Sequence, residues 1–181
     1  MNLPNKLTIT RLLLAVPFIY FLENSPGNLI YKIIALVIFA VASITDFFDG
    51  YLARKHNLVT DFGKIMDPLA DKILVISALV VMVSIDYIPS WMSIVVIFRE
   101  FLISGIRMIV ASKGEVIGAI KLGKYKTTSQ MIVIMILIIF GKKYDTILNI
   151  NNALMLIPVV LTIWSGLEYI KITKHHFLEE N

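Results

Sequence analysis

Four aspartates in this chain stand at spacings that could do chemistry. Asp46 and Asp49 are three residues apart, and Asp67 and Asp71 are four apart. On a helix each pair shares one face. With Asp61 they place five of the chain's 13 acidic residues in one stretch, TDFFDGYLARKHNLVTDFGKIMDPLADK, residues 45–72. Carboxylates gathered this way repel: at about 5 Å and an effective dielectric of about 20, each pair costs roughly 3 kcal/mol. Something positive has to offset that. Two divalent cations balance four carboxylates, and an all-oxygen donor set selects hard ions such as Mg²⁺ or Mn²⁺. Helix capping is the competing explanation. Asp67 before Pro68 suits an N-cap, and Asp71 favours the positive end of a helix. Capping does not account for Asp46 and Asp49, which fall near a helix C-terminus, where acids oppose the macrodipole. Asp61 lies outside both pairs and reads as a loop or boundary acid.

The elements that must position these acids are apolar helices. Of the 181 residues 57% are hydrophobic and 17% charged, and the mean hydropathy is +0.80. A soluble domain has about half its residues apolar and roughly a quarter charged. Here long uncharged runs separate short charged patches, the pattern of a polytopic membrane protein. Six spans are predicted, over about Leu7–Leu22, Leu29–Ala53, Lys64–Ser84, Trp91–Ser112, Thr127–Phe140 and Ala153–Ile172. Pro4 and Asn5 precede the first, and it reads as a retained span because no small-residue cleavage site follows its apolar run. The fold class is all-α, a bundle of six transmembrane helices forming a single domain over residues 1–181. No cysteine is present, which excludes disulfides, thiolate metal sites and cysteine nucleophiles.

Basic residues fall on one side of this layout. Lys6, Arg11, Arg54, Lys55, Lys64, Lys113, Lys121, Lys124, Lys126, Lys171 and Lys174 share that side, against Lys32, Lys142 and Lys143 on the other. The first side is then cytoplasmic, with both termini. The net charge of +4 reflects this bias rather than nucleic-acid binding. Tyr87 and Trp91 suit an outer interfacial belt. A span needs about 20 residues, so the helices extend into charged sequence. Asp46, Asp49, Asp67, Asp71, Arg99, Glu100, Arg107 and Glu168 would lie at the inner membrane boundary, where ionisable groups mark a site. An antiparallel hairpin with a cytoplasmic loop of about ten residues would bring the four aspartates together.

Small residues lie on the acidic faces. Gly50 is four after Asp46, Ala53 four after Asp49, and Gly63 four before Asp67. A ligand could approach the backbone there, although small residues also serve helix packing. Arg54 could pair with a phosphate or anchor the positive-inside end. The full spacing is Asp46, two residues, Asp49-Gly50, two residues, Ala53-Arg54, eight residues, Gly63, three residues, Asp67, three residues, Asp71. It resembles the signature of the CDP-alcohol phosphotransferase family with every fixed position filled. The resemblance implies a six-helix membrane enzyme, usually a homodimer, that moves a phosphatidyl or similar group from a CDP-linked donor to an alcohol. It implies that Asp46, Asp49 and Asp67 are metal ligands and that Asp71 is both ligand and general base. It implies further that Gly50, Ala53, Arg54 and Thr60, with Gly63, contact the donor, CDP-diacylglycerol.

Further patches, LPNKLTITRLLL, FREFLISGIR and GKYKT, resemble the branch of the family whose acceptor is glycerol 3-phosphate. Asn5, Thr8 and Arg11 would line the nucleotide or phosphate end. An acceptor phosphate of charge about −2 needs fixed cations. Arg99 and Arg107 are eight apart, on one helix side, and Lys124 and Lys126 open the fifth span. Other readings compete: a bundle ion pair between Arg99 and Glu168, and headgroup anchoring by Lys121, Lys124 and Lys126. Glu100 is not expected to share the direction of Arg99. His56, His175 and His176 are expected to be solvated. The implied partners are the two substrates and membrane lipids, with the active site facing the cytoplasm. Rival readings keep the donor but change the acceptor to inositol phosphate, serine or phosphatidylglycerol, or make the chain a divalent-cation transporter.

Overall fold

A computed structural model describes residues 3–56, 61–112, 120–142 and 150–178, with side chains over 9–45, 72–111, 120–142 and 150–173. Among the described residues there are six helices and no strand: α1 (Leu3–Glu23), α2 (Leu29–His56), α3 (Asp61–Ser84), α4 (Ser90–Ser112), α5 (Lys121–Phe140) and α6 (Ile150–Leu178). Each expected span corresponds to one helix, but several run longer. α1 already includes Pro4 and Asn5, and α5 starts at Lys121 rather than Thr127. α2 continues to His56 and α3 begins at Asp61. The connection between them is therefore shorter than the ten-residue loop expected, and Asp61 belongs to a helix. Length and composition make two of the described helices able to cross a membrane, Lys121–Phe140 and Ile150–Thr173; Leu29–Thr45 and Lys72–Ser84 are shorter apolar stretches.

The helices group into two compact units, residues 1–87 with 134–143 and residues 88–133 with 144–181, so the boundary falls within α5. In the first unit α1 packs against α2 and α3, and α2 also touches α3. Phe18 and Leu22 of α1, Ala35, Phe39 and Ala42 of α2, and Ala78, Leu79 and Met82 of α3 are fully buried. Phe18 and Phe39 meet with ring centroids 5.5 Å apart. In the second unit α4 packs against α6. The buried stripe of α4 runs through Met92, Val96, Ile103 and Val110, at helical spacing. Arg99 and Arg107 fall in register with it.

Local chemistry sets the helix ends of the first unit. The side-chain oxygen of Asn28 accepts hydrogen bonds from the backbone N–H groups of Ile30 and Tyr31, at 3.1 and 3.3 Å, and so caps α2. Gly27, just before it, has a φ of 80°, a conformation a side chain would disfavour. α3 ends in a Schellman motif: Tyr87 N–H bonds Met82 O at 2.8 Å and Asp86 N–H bonds Val83 O at 3.1 Å. Asp86 takes the left-handed position with a φ of 57°, one that aspartate tolerates better than most residues. The motif buries Tyr87, which is 2% exposed. Tyr87 is thus a core residue and not part of an interfacial belt; Trp91 is exposed.

Lys32 explains itself in the same place. Its ammonium donates to the carbonyls of Ile139 and Gly141, both at 3.1 Å, and lies 5.7 Å from the centre of the Tyr87 ring. These carbonyls are at the C-terminal end of α5, where the helix has no backbone donors left. Gly141 is needed for the closeness: a Cβ there would overlap the Leu137 carbonyl and sit 2.6 Å from the Tyr87 ring. Lys32→Met should therefore leave part-buried carbonyls unsatisfied and cost about 1–3 kcal/mol. Thermal unfolding in detergent checks this, with Lys32→Arg expected to retain most of the stability.

Candidate active site

Backbone register places the acidic residues. Asp46, Asp49, Gly50, Ala53 and Arg54 lie on the last turns of α2, and Asp61, Gly63, Asp67 and Asp71 on the first turns of α3. The two pairs therefore keep their three- and four-residue spacing within continuous helices, on helices that touch. Side chains 46–71 lie outside the described residues, as do those of Asn5 and Thr8 and the whole of Thr60. His56, His175 and His176 are likewise without described side chains. Among the described residues, which do not include the aspartate side chains of the two pairs, no group of three or more His, Asp or Glu could hold a metal. Arg11, on α1, is buried, with 4% exposure.

The second unit contains a polar cluster within apolar packing. Arg99 of α4 donates from Nη1 to Glu100 Oε1 at 2.9 Å and from Nη2 to Ser165 Oγ of α6 at 3.1 Å. Lys126 of α5 donates to the same Glu100 oxygen at 2.6 Å. The Lys126 side chain is 3% exposed, against 14% for Arg99 and 18% for Glu100. One carboxylate oxygen thus holds two cations from two helices. Such charge-assisted bonds are shorter and stronger than neutral ones. Ser165 in turn donates to the Thr162 carbonyl at 3.2 Å, which fixes its oxygen to receive Arg99. Two turns along α4, Arg107 donates from Nε to the Tyr169 hydroxyl at 3.1 Å. Its guanidinium carbon lies 5.4 Å from the centre of the same ring, within cation–π range.

Space for Arg99 is made by glycine. A Cβ on Gly166 of α6 would meet Arg99 Cγ at 3.3 Å, whereas one on Gly123 of α5 would lie at an ordinary 3.6 Å from Ile120 and 3.9 Å from Arg99 Nη2. The arginine stem lies across α6 where that helix has no side chain. One donor of Arg99, Nε, is buried and makes no hydrogen bond among the described residues. An anion could satisfy it.

The structure brings two of the sequence candidates, Arg99 and Lys126, together at Glu100 and sets a third, Arg107, against Tyr169. Arg99 and Arg107 do face one partner helix, as their spacing implied. Lys126 is buried and ion-paired, so it is not a headgroup anchor; Lys121 and Lys124 are exposed. The Arg99–Glu168 pair is replaced by Arg99–Glu100, and Glu168 Oε2 is buried without a hydrogen bond among the described residues. Adjacent residues point about 100° apart on a helix, but two long side chains can curl to meet, which is how Glu100 reaches Arg99. Ser165 and Tyr169 are not among the sequence candidates. A signal was present: Thr162, Ser165, Tyr169 and Thr173 form a polar stripe at helical spacing, and all four are buried.

The described residues thus comprise two aspartate pairs on helices that touch and, in the second unit, Arg99 and Lys126 paired to Glu100. The family model for CDP-alcohol phosphatidyltransferase matches residues 1–164, and the chain belongs to that family. It is similar to a CDP-diacylglycerol–glycerol-3-phosphate 3-phosphatidyltransferase of Bacillus subtilis, 40% identical with 93% of each chain covered. It is 42% identical to the Rickettsia typhi protein of the same name, over 97% of this chain and 99% of that one. The Haemophilus influenzae protein of that name is 38% identical over 98% of this chain.

Gly166→Ala should force the Arg99 stem to shift and so forfeit the gain of about 0.5–1 kcal/mol that alanine has over glycine inside a helix. Gly123→Ala, where a methyl finds ordinary contact, should keep that gain. Unfolding midpoints of the two variants, compared side by side, check the difference.

Proposed function

We propose that the chain is a membrane phosphatidyltransferase that moves the phosphatidyl group of CDP-diacylglycerol to glycerol 3-phosphate, giving phosphatidylglycerophosphate and CMP. The observation that carries this reading is the set of cations in the second unit: Arg99 and Lys126, largely buried on one Glu100 oxygen, with Arg107 two turns along α4 at the Tyr169 hydroxyl. An acceptor that bears its own phosphate needs such a cluster, whereas serine does not. The names of the relatives agree with it.

The aspartates supply the donor end. Four carboxylates on two touching helices, an all-oxygen donor set, fit a hard divalent ion. Asp46, Asp49, Asp67 and Asp71 would hold two ions, Mg²⁺ or Mn²⁺, which when bound neutralise the diphosphate and stabilise charge on the leaving nucleotide. Asn5, Thr8, Gly50, Ala53, Arg54, Thr60 and Gly63 contact the donor, the small residues by letting its diphosphate approach the backbone. Arg11, Arg99, Arg107, Lys124 and Lys126 bind the acceptor phosphate. Asp71 takes the proton from the acceptor's primary hydroxyl. The freed oxygen attacks the phosphorus attached to diacylglycerol, a new P–O bond forms, and the P–O bond to CMP breaks with its electron pair leaving on CMP.

We read all six helices as membrane spans with both termini cytoplasmic, the active site facing the cytoplasm and the chain acting as a homodimer. Exposed Leu13 and Val16 on α1, Phe98 and Met108 on α4, and Trp164 and Leu167 on α6 support contact with lipid, because soluble monomers rarely expose large apolar patches. The donor's acyl chains then stay in the bilayer while the polar acceptor enters from the cytosol. We read residues 1–181 as one catalytic domain, since the family match runs through both compact units.

Two outcomes test the proposal. Purified protein with both substrates should release CMP, a chelator should stop the release, and added Mg²⁺ or Mn²⁺ should restore it; Mn²⁺ transport into vesicles without CMP release would support a transporter instead. Asp71→Asn should lower turnover by at least about 100-fold while CDP-diacylglycerol binding is largely kept. Normal activity in that variant would remove Asp71 as base.

A further inference from the structure

We propose that Glu100 is a positioning residue, whose carboxylate holds Arg99 and Lys126 together as a two-cation clamp for the acceptor phosphate. The inference rests on the reading of that cluster as the acceptor-phosphate site. Glu100 itself carries the wrong charge to bind a phosphate, yet it stands at the centre of the cations. Lys126 Nζ at 2.6 Å and Arg99 Nη1 at 2.9 Å converge on one oxygen, Oε1. The cations come from different helices, α5 and α4, and the side chains of all three residues are largely buried. Without the carboxylate, two like charges would face each other in a poorly solvated place and would separate. A substrate would then have to draw them together as it binds, at the expense of its own affinity.

The surroundings favour a clamp over a closed structural ion pair. The rest of the Arg99 guanidinium is oriented independently of Glu100: Nη2 bonds Ser165 Oγ at 3.1 Å, and the stem crosses α6 at Gly166. Nε is buried with no hydrogen bond among the described residues. A guanidinium kept in place with a donor to spare is preorganised for an incoming oxygen.

The test measures KM for both substrates in the full-length enzyme in lipid-detergent micelles. Glu100→Gln keeps the shape and removes the charge. It should raise KM for glycerol 3-phosphate about tenfold, equivalent to about 1.4 kcal/mol, while KM for CDP-diacylglycerol changes less than about twofold. Glu100→Asp keeps the charge on a shorter stem and should give a smaller rise, again in the acceptor KM alone. A residue that merely stabilises the fold would lower the yield of active enzyme and leave both KM values in place. An unchanged or lower acceptor KM in Glu100→Gln, alongside a raised one in Arg99→Met, overturns the clamp and leaves the acceptor site standing. An unchanged acceptor KM in Arg99→Met as well overturns the site reading itself. Should Glu100→Gln fail to fold, Glu100→Asp decides alone, and equal shifts of both its KM values count against the proposal.

Discussion

Charge inside an apolar helix assembly has to be neutralised, and much of this structure follows from that constraint. An unpaired ion removed from water is costly enough that the surrounding helices must supply its partner. In the second unit the partner is Glu100, which takes two cations on one oxygen. In the first unit it is the negative end of α5, whose terminal carbonyls receive Lys32. The four aspartates, on turns of α2 and α3, fall under the same constraint and call for positive charge beside them. The proposed metal requirement is the same constraint met by a ligand instead of a side chain.

The helices give these charges different kinds of support. α1 packs against both helices that carry the aspartate pairs, and tight ends at Asn28 and Asp86 fix where α2 starts and α3 stops. The α4–α6 packing is apolar at Met92, Val96, Met155 and Val159 and turns polar toward Arg99, Ser165 and Tyr169. A continuous buried stripe thus changes character along its length without leaving one helix face. That lets rigid helices, rather than loops, hold the polar groups, which is the more accurate way to position a site.

The helix count and the acid-bearing turns were legible because they rest on local patterns: long apolar runs, three- and four-residue spacing, and a signature complete at every position. Arg99 and Arg107 were legible for the same reason, since eight residues return a helix to nearly the same side. Helix ends were less so. That α2 and α3 run on into polar sequence was expected from span length, but their ends at His56 and Asp61 fall where no apolar period marks a boundary. The pairing of Glu100 with Lys126 was not legible because it joins residues 26 positions apart in sequence through side-chain flexibility. Tyr87 was placed at an interface from its type, whereas the turn that buries it depends on Asp86 adopting a left-handed backbone.

The central claim is that the phosphatidyl group ends on the hydroxyl of glycerol 3-phosphate. The most direct measurement is ³¹P NMR of the lipid formed from CDP-diacylglycerol and ¹³C-labelled glycerol 3-phosphate by the reconstituted protein. The account predicts a lipid with one phosphodiester and one phosphomonoester resonance, carrying the label. Phosphatidate alone, or a labelled acceptor left unconverted while another alcohol is taken up, would contradict it.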